Sequence, residues 1–261
     1  MWPGFQSGDQ LIISSFGIMI FIAFLSCNLL MKKTLREKQI DTKIGDDIVF
    51  WAAIGGILGA KLYYIMEFGF NTEGVDGVWS AIQSFGSGLV FYGGLIGGFF
   101  AVSLYLYIKK LSWLEYADMV APLLALGHGI GRIGCFLVPD CFGVESKYHF
   151  FPLGVKFPEG PFVDAAYASV YRYPTQLYEM FAYLAIFLYL YSYRHKVNFK
   201  GELFFEYLFL TGIFRFVIEF IREHPNGHDS FYFAGLYGAQ YVSLAMVLLG
   251  IVFHFQMRLK K

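Results

Sequence analysis

Residues 11–33 read LIISSFGIMIFIAFLSCNLLMKK, an apolar run closed by two lysines. A helix needs about 20 apolar residues to cross the hydrocarbon core of a bilayer, because each residue advances it by only about 1.5 Å. Residues 11–31 satisfy that length. No basic residue precedes the run, and Lys32 and Lys33 follow it. This reverses the charge order of a secretory leader, so the run reads as a retained span. Six further stretches share its character: 46–67, 88–108, 113–138, 175–193, 202–222 and 237–257. The expected fold is an all-α integral membrane protein, a single domain over residues 1–261 with about seven transmembrane helices. Residues 139–174 carry Pro139, Pro152, Pro158 and Pro161 among several aromatics, and are expected to form a small extracytoplasmic cap. A second long outer segment is expected at 68–87.

The composition agrees. Of 261 residues, 57% are hydrophobic, 20% aromatic and only 15% charged, against about a quarter charged in a soluble domain. So little charge suits a chain that uses lipid as solvent. Lys+Arg and Asp+Glu balance at 20 each, which argues against a nucleic-acid partner. Lys32, Lys33, Arg36, Lys38 and Lys43 lie between the first two spans, and Lys109 and Lys110 follow the third. Arg194, Lys196 and Lys200 follow the fifth, and Arg258, Lys260 and Lys261 the seventh. The alternate loops hold only Lys147, Lys156 and Arg172. Positive residues mark the cytoplasmic side, so the N-terminus is expected outside and the C-terminus inside. Gly55, Gly56 and Gly59 in one span, and Gly93, Gly94, Gly97 and Gly98 in the next, permit close helix approach.

Ionisable groups inside spans are costly and are functional candidates by default. On this topology Lys61, Tyr92, His128, Arg132, Gln176, Glu179, Arg215, Glu219 and Arg222 converge near the outer leaflet, with Asp140 just beyond. Arg215, Glu219 and Arg222 share one helix stripe, and His128 and Arg132 lie four apart on another. Internal ion pairing is one reading of Glu219 and Arg222. Arg132 has no acid on its own helix face, which points instead to an anionic ligand such as a lipid phosphate. The glycine-rich segment at 127–131 follows no strand, so a dinucleotide site is not expected. Cys135 and Cys141 with His128 match no common zinc spacing. His224, His228 and Asp229 lie in a turn-rich loop and read as solvated. No metal, nucleotide or flavin is expected.

Four segments resemble, in order and spacing, the bacterial phosphatidylglycerol–prolipoprotein diacylglyceryl transferases. They are Gly131-Arg132-Ile133-Gly134-Cys135-Phe136 running to Asp140-Cys141-Phe142-Gly143; Phe91-Tyr92-Gly93-Gly94-Leu95-Ile96-Gly97; Pro174-Thr175-Gln176-Leu177-Tyr178-Glu179; and Arg215-Phe216 through Glu219-Phe220 to Arg222. The resemblance implies a seven-span enzyme of the bacterial inner membrane that acts at the outer leaflet in lipoprotein maturation. It implies transfer of the diacylglyceryl group of phosphatidylglycerol to the thiol of a lipobox cysteine in a preprolipoprotein. The products are a thioether and glycerol-1-phosphate. By position, Arg132 and Arg215 match the family's essential arginines, Glu219 their partner acid, and Gly143 the glycine closing the signature. Cys135 stands where the best-known members have Asn, Asp140 where they have Glu, Tyr92 where many have His, and Phe16 where Tyr is usual.

The resemblance yields a mechanism. Arg132 and Arg215 hold the lipid phosphate and stabilise the charge on the departing group. The acceptor must be a thiolate, since an ordinary thiol has a pKa of about 8.5. With Tyr92 in place of a His, His128 is the expected base. Asp140 and Glu219 orient the arginines, and Lys61 adds to the anion site. Cys135, Gly143, Gln176, Glu179 and Arg222 complete the substrate pocket. Alternatives are a divergent transferase with another donor or acceptor, or a non-catalytic lipid carrier using the same cationic cavity.

Overall fold

In a computed structural model of the chain, residues 4–7, 10–66, 91–160, 163, 165–224 and 232–259 are described. The outer segment expected at 68–87, and His228 and Asp229, lie outside them. Among the described residues the fold is helical with little strand: α1 (Ser15–Glu37), α2 (Lys43–Tyr64), α3 (Phe91–Ile108), α4 (Trp113–Leu137), the short α5 (Ala165–Ala168), α6 (Thr175–Tyr193), α7 (Glu202–Ile218) and α8 (Gly238–Leu259). These follow the seven apolar stretches of the sequence. Two helices, Ser15–Glu37 and Trp113–Leu137, are long and apolar enough to cross a membrane by length and composition, and Gly93–Ile108 and Gly238–Phe253 are apolar over shorter lengths.

The first stretch departs from expectation at its start. Gly4–Ser7 (β1) and Gln10–Ser14 (β2) form an antiparallel hairpin, so the helix opens at Ser15 and not at residue 11. The side-chain oxygen of Ser14 accepts the Gly17 backbone N–H at 3.0 Å, which is N-cap geometry and starts the helix there. The sixth stretch departs at its end. Helix α7 stops at Ile218, Glu219–Ile221 tighten into a single 3₁₀ turn, and Arg222 is extended at φ −83°, ψ 141°.

The chain divides into two compact units, one of residues 28–116 and one of residues 1–27 with 117–261. In the first, the glycines of α2 and α3 bring the two backbones together. A Cβ on Gly97 would stand 2.2 Å from the Gly55 carbonyl oxygen, so only glycine fits there. The Tyr105 hydroxyl donates to Asp47 at 2.8 Å, and Lys32 and Asp46 form an exposed pair at 2.7 Å, a kind that adds little stability.

In the second unit, α7 and α8 pack along their lengths. The start of α7 is capped from α4, because the Asp118 carboxylate accepts the N–H groups of Gly201 at 2.6 Å and Phe204 at 3.0 Å, donors that a helix leaves without internal partners. Ala121, Leu190 and Leu203 form one buried cluster. Phe142, Phe157 and Val163 form another in the cap, with Phe142 and Phe157 stacked at 5.3 Å. The stretch after α4 is therefore ordered around its own aromatic core.

Candidate functional site

The charged cluster lies wholly within the second unit. Helix α4 brings Arg132, α6 brings Glu179, and the end of α7 with its 3₁₀ turn brings Arg215, Glu219 and Arg222. Both carboxylate side chains are 0% exposed. Arg132 Nη2 lies 2.7 Å from Glu179 Oε2, and Arg215 Nη1 lies 3.9 Å from Glu179 Oε1. Arg215 Nη2 also meets Glu219 Oε2 at 2.9 Å, and Arg222 Nη1 approaches the same oxygen at 4.0 Å. Arg132 is therefore not without an acid: its partner comes from another helix.

Three guanidiniums share two carboxylates, which leaves one positive charge uncompensated within the cluster. Arg132 Nε, Arg215 Nη1 and Arg222 Nε are buried without a hydrogen-bond acceptor, and the oxygens of Glu179 and Glu219 meet the guanidiniums as ion pairs without hydrogen-bond geometry. A buried unmatched donor costs about 1–3 kcal/mol, more when charged. A monoanion with several oxygens would satisfy both the charge and the donors.

The signature turn is built on the same frame. Arg132 Nη1 lies 3.9 Å from Cys135 Sγ. The Asp140 carboxylate is exposed and accepts the Cys141 N–H at 2.7 Å, so it shapes its own turn, while the buried carboxylate meeting the arginines from outside α7 and its 3₁₀ turn is Glu179. The Gln176 amide donates to the Asp140 backbone oxygen at 2.7 Å, and Thr175 Oγ1 donates to the Cys141 oxygen at 2.9 Å. Together they pin the start of the cap onto α6. Cys135 and Cys141 are both free thiols. Gly143 pairs with Arg222 as an isolated β-bridge. A Cβ on Gly143 would stand 2.6 Å from the Ile221 oxygen and 2.8 Å from Tyr173 Cβ, which accounts for a glycine at that position.

His128 is half-buried, its ring stacked on Tyr183 at 3.9 Å. Lys61 and Tyr92 belong to the other unit. The Lys61 ammonium lies 5.4 Å from the Tyr64 ring centroid. Tyr92 is the second residue of α3, and its side chain is outside the described residues.

Two residues escaped the sequence reading. Arg172 is buried, its Nη1 held by Glu223 Oε2 at 2.7 Å and the Gly143 oxygen at 3.3 Å. His224, read as a solvated loop residue, has Nε2 3.6 Å from Glu219 Oε1 and stacks on Tyr237 at 3.8 Å. Helical spacing could not have found it, because the chain leaves the helix at Ile218.

The family profile described as prolipoprotein diacylglyceryl transferase matches residues 5–256. The chain belongs to that family. A phosphatidylglycerol–prolipoprotein diacylglyceryl transferase of Clostridium tetani is 35% identical over 242 residues, covering 92% of this chain and 91% of the relative. One of Clostridium perfringens is 33% identical over 243 residues, covering 91% and 87%. One of Teredinibacter turnerae is 33% identical over 212 residues, covering 80% and 70%.

Proposed function

We propose that this family member transfers the diacylglyceryl group of phosphatidylglycerol to a prolipoprotein, with the arginine cluster as its phosphate site. The observation that carries the assignment of the site is the single positive charge left over among buried guanidiniums. A phosphodiester bears one negative charge, so the ground-state lipid neutralises the cluster. The acceptor is the thiolate of a lipobox cysteine. It attacks the glyceryl carbon that bears the phosphate, a C–S bond forms and the C–O bond breaks. Glycerol-1-phosphate departs with one more negative charge than the diester carried, which the donors of Arg132 and Arg215 offset as it develops. Glu179 and Glu219 hold those guanidiniums in place, so little reorganisation is needed during the reaction. Cys135 and Gly143 shape the wall beside Arg132, and Gln176 sets the cap over it.

The enzyme is read as one transmembrane domain of seven crossings in the bacterial inner membrane. Its N-terminus is outside, its C-terminus is cytoplasmic, and the site faces the outer leaflet. The distribution of lysine and arginine supports that orientation. Membrane lipid supplies the donor, and the protein partner enters as a lipobox segment.

The test is direct. Purified protein in nanodiscs containing phosphatidylglycerol is mixed with a lipobox peptide carrying Cys, or Ser as control. A mass gain of one diacylglyceryl group on the Cys peptide alone is expected. Arg132→Ala and Arg215→Ala should abolish it. Transfer that survives both substitutions would refute the site.

A further inference from the structure

The reaction needs an acceptor for the thiol proton, and the geometry points to His224. This rests on the transfer chemistry proposed above. Four independent constraints hold the imidazole. First, the backbone that carries it is paired with the signature turn: Val144 N–H donates to the Ile221 oxygen at 3.0 Å and Glu223 N–H to the Phe142 oxygen at 3.1 Å. Second, Arg172 ties the neighbouring Glu223 carboxylate to the Gly143 oxygen, at 2.7 and 3.3 Å. Third, Tyr237 stacks on the ring at 3.8 Å with 21° between planes. Fourth, Glu219 Oε1 stands 3.6 Å from Nε2. Glu219 is also the acid that holds Arg215 at 2.9 Å. A base oriented by a carboxylate that also holds Arg215 follows the logic by which an activated nucleophile's base is itself held by a third group.

His128 compares poorly on charge. A proton placed on it meets the Arg132 guanidinium one turn along the same helix face. A proton placed on His224 meets a carboxylate. Among the described residues, Glu219 faces His224 and, through that carboxylate, so do Arg215 and Arg222; Glu223 beside it is engaged by Arg172, and Tyr237 stacks on its face. In the step, the lipobox S–H bond breaks and its proton moves to the imidazole, whose positive charge Glu219 offsets. The sulfur electron pair forms the C–S bond, and the C–O electrons leave with glycerol phosphate. The proton later passes to that product or to water.

His224→Phe keeps a ring to stack on Tyr237 but cannot take a proton, and His224→Gln keeps polarity without basicity. A thiol of pKa about 8.5 is only about one-thirtieth ionised at pH 7. Both variants should therefore lose roughly 30-fold in kcat at pH 7, with the KM for the peptide little changed, and the deficit should close above about pH 9, where the thiol ionises unaided. A deficit equal at every pH, or a His224→Phe enzyme at full rate at pH 7, would overturn the assignment, the former by marking a structural role. Wild-type protein that fails to modify the Cys peptide would instead defeat the transferase reading itself. Retained binding of phosphatidylglycerol by the variants checks that they fold.

Discussion

Glu179→Gln tests the arginine cluster in two opposite directions at once. The substitution keeps the side chain's shape and removes one negative charge from a site where the carboxylate is 0% exposed and 2.7 Å from Arg132. Breaking a buried ion pair costs about 3–5 kcal/mol. Here the glutamine oxygen still stands beside Arg132, and Arg215 keeps Glu219 at 2.9 Å, so the cost should fall near the lower end, about 3 kcal/mol. The cluster then carries two uncompensated positive charges where it had one. For a phosphate on the far side of the guanidinium, roughly 8 Å from the lost carboxylate, an effective dielectric of about 20 gives about 2 kcal/mol, or roughly 30-fold tighter binding. Unfolding in uncharged detergent, with and without phosphatidylglycerol, reads both effects. The variant should be less stable without the lipid. Saturating lipid should stabilise it by about 2 kcal/mol more than it stabilises the wild type. A variant that unfolds like wild type in the absence of lipid, or a lipid shift equal in the two proteins, would refute the reasoning.

Other consequences are simpler to state. Arg132→Lys and Arg215→Lys keep charge but lose the planar fork, so peptide transfer should fall by about 100-fold or more while lipid binding weakens less. Gly143→Ala puts a methyl group 2.6 Å from the Ile221 oxygen; thermal unfolding should report a loss of about 1–3 kcal/mol, and a protein as stable as wild type would count against the packed turn. The Cys141 thiol is held below its ordinary value, because the Cys135 thiol donates to it and Arg222 and Arg132 favour the thiolate, together outweighing burial. Its labelling by iodoacetamide, followed by peptide mass mapping, should have a midpoint below the ordinary thiol value of about 8.5, and a midpoint at or above it would contradict the contact with Cys135.

The helices were legible because apolar length is a property of contiguous residues. The hairpin at Gln10–Ser14 was not, since Ile12 and Ile13 suit a strand and a membrane helix alike and Ser14 decides the start only by capping Gly17. Arg215 and Glu219 were readable as a pair from their four-residue spacing. Arg222 was placed on the same stripe, but the 3₁₀ turn at Glu219–Ile221 breaks the helical phase and sends it into a β-bridge with Gly143. Asp140 was expected from the family resemblance to orient the arginines, yet its carboxylate is exposed on its own turn.

By itself, the order of residues determined the membrane-like composition, the placement of the helices, and a set of arginines and acids resembling one transferase family. Those features depend on neighbours within a turn or two. Tertiary structure alone decided that Glu179 and not Asp140 answers Arg132, that one positive charge remains over, and that His224 turns back onto Glu219. Each of these depends on the rotation of one helix against another and on where a helix ends, quantities set by packing between segments distant in the chain.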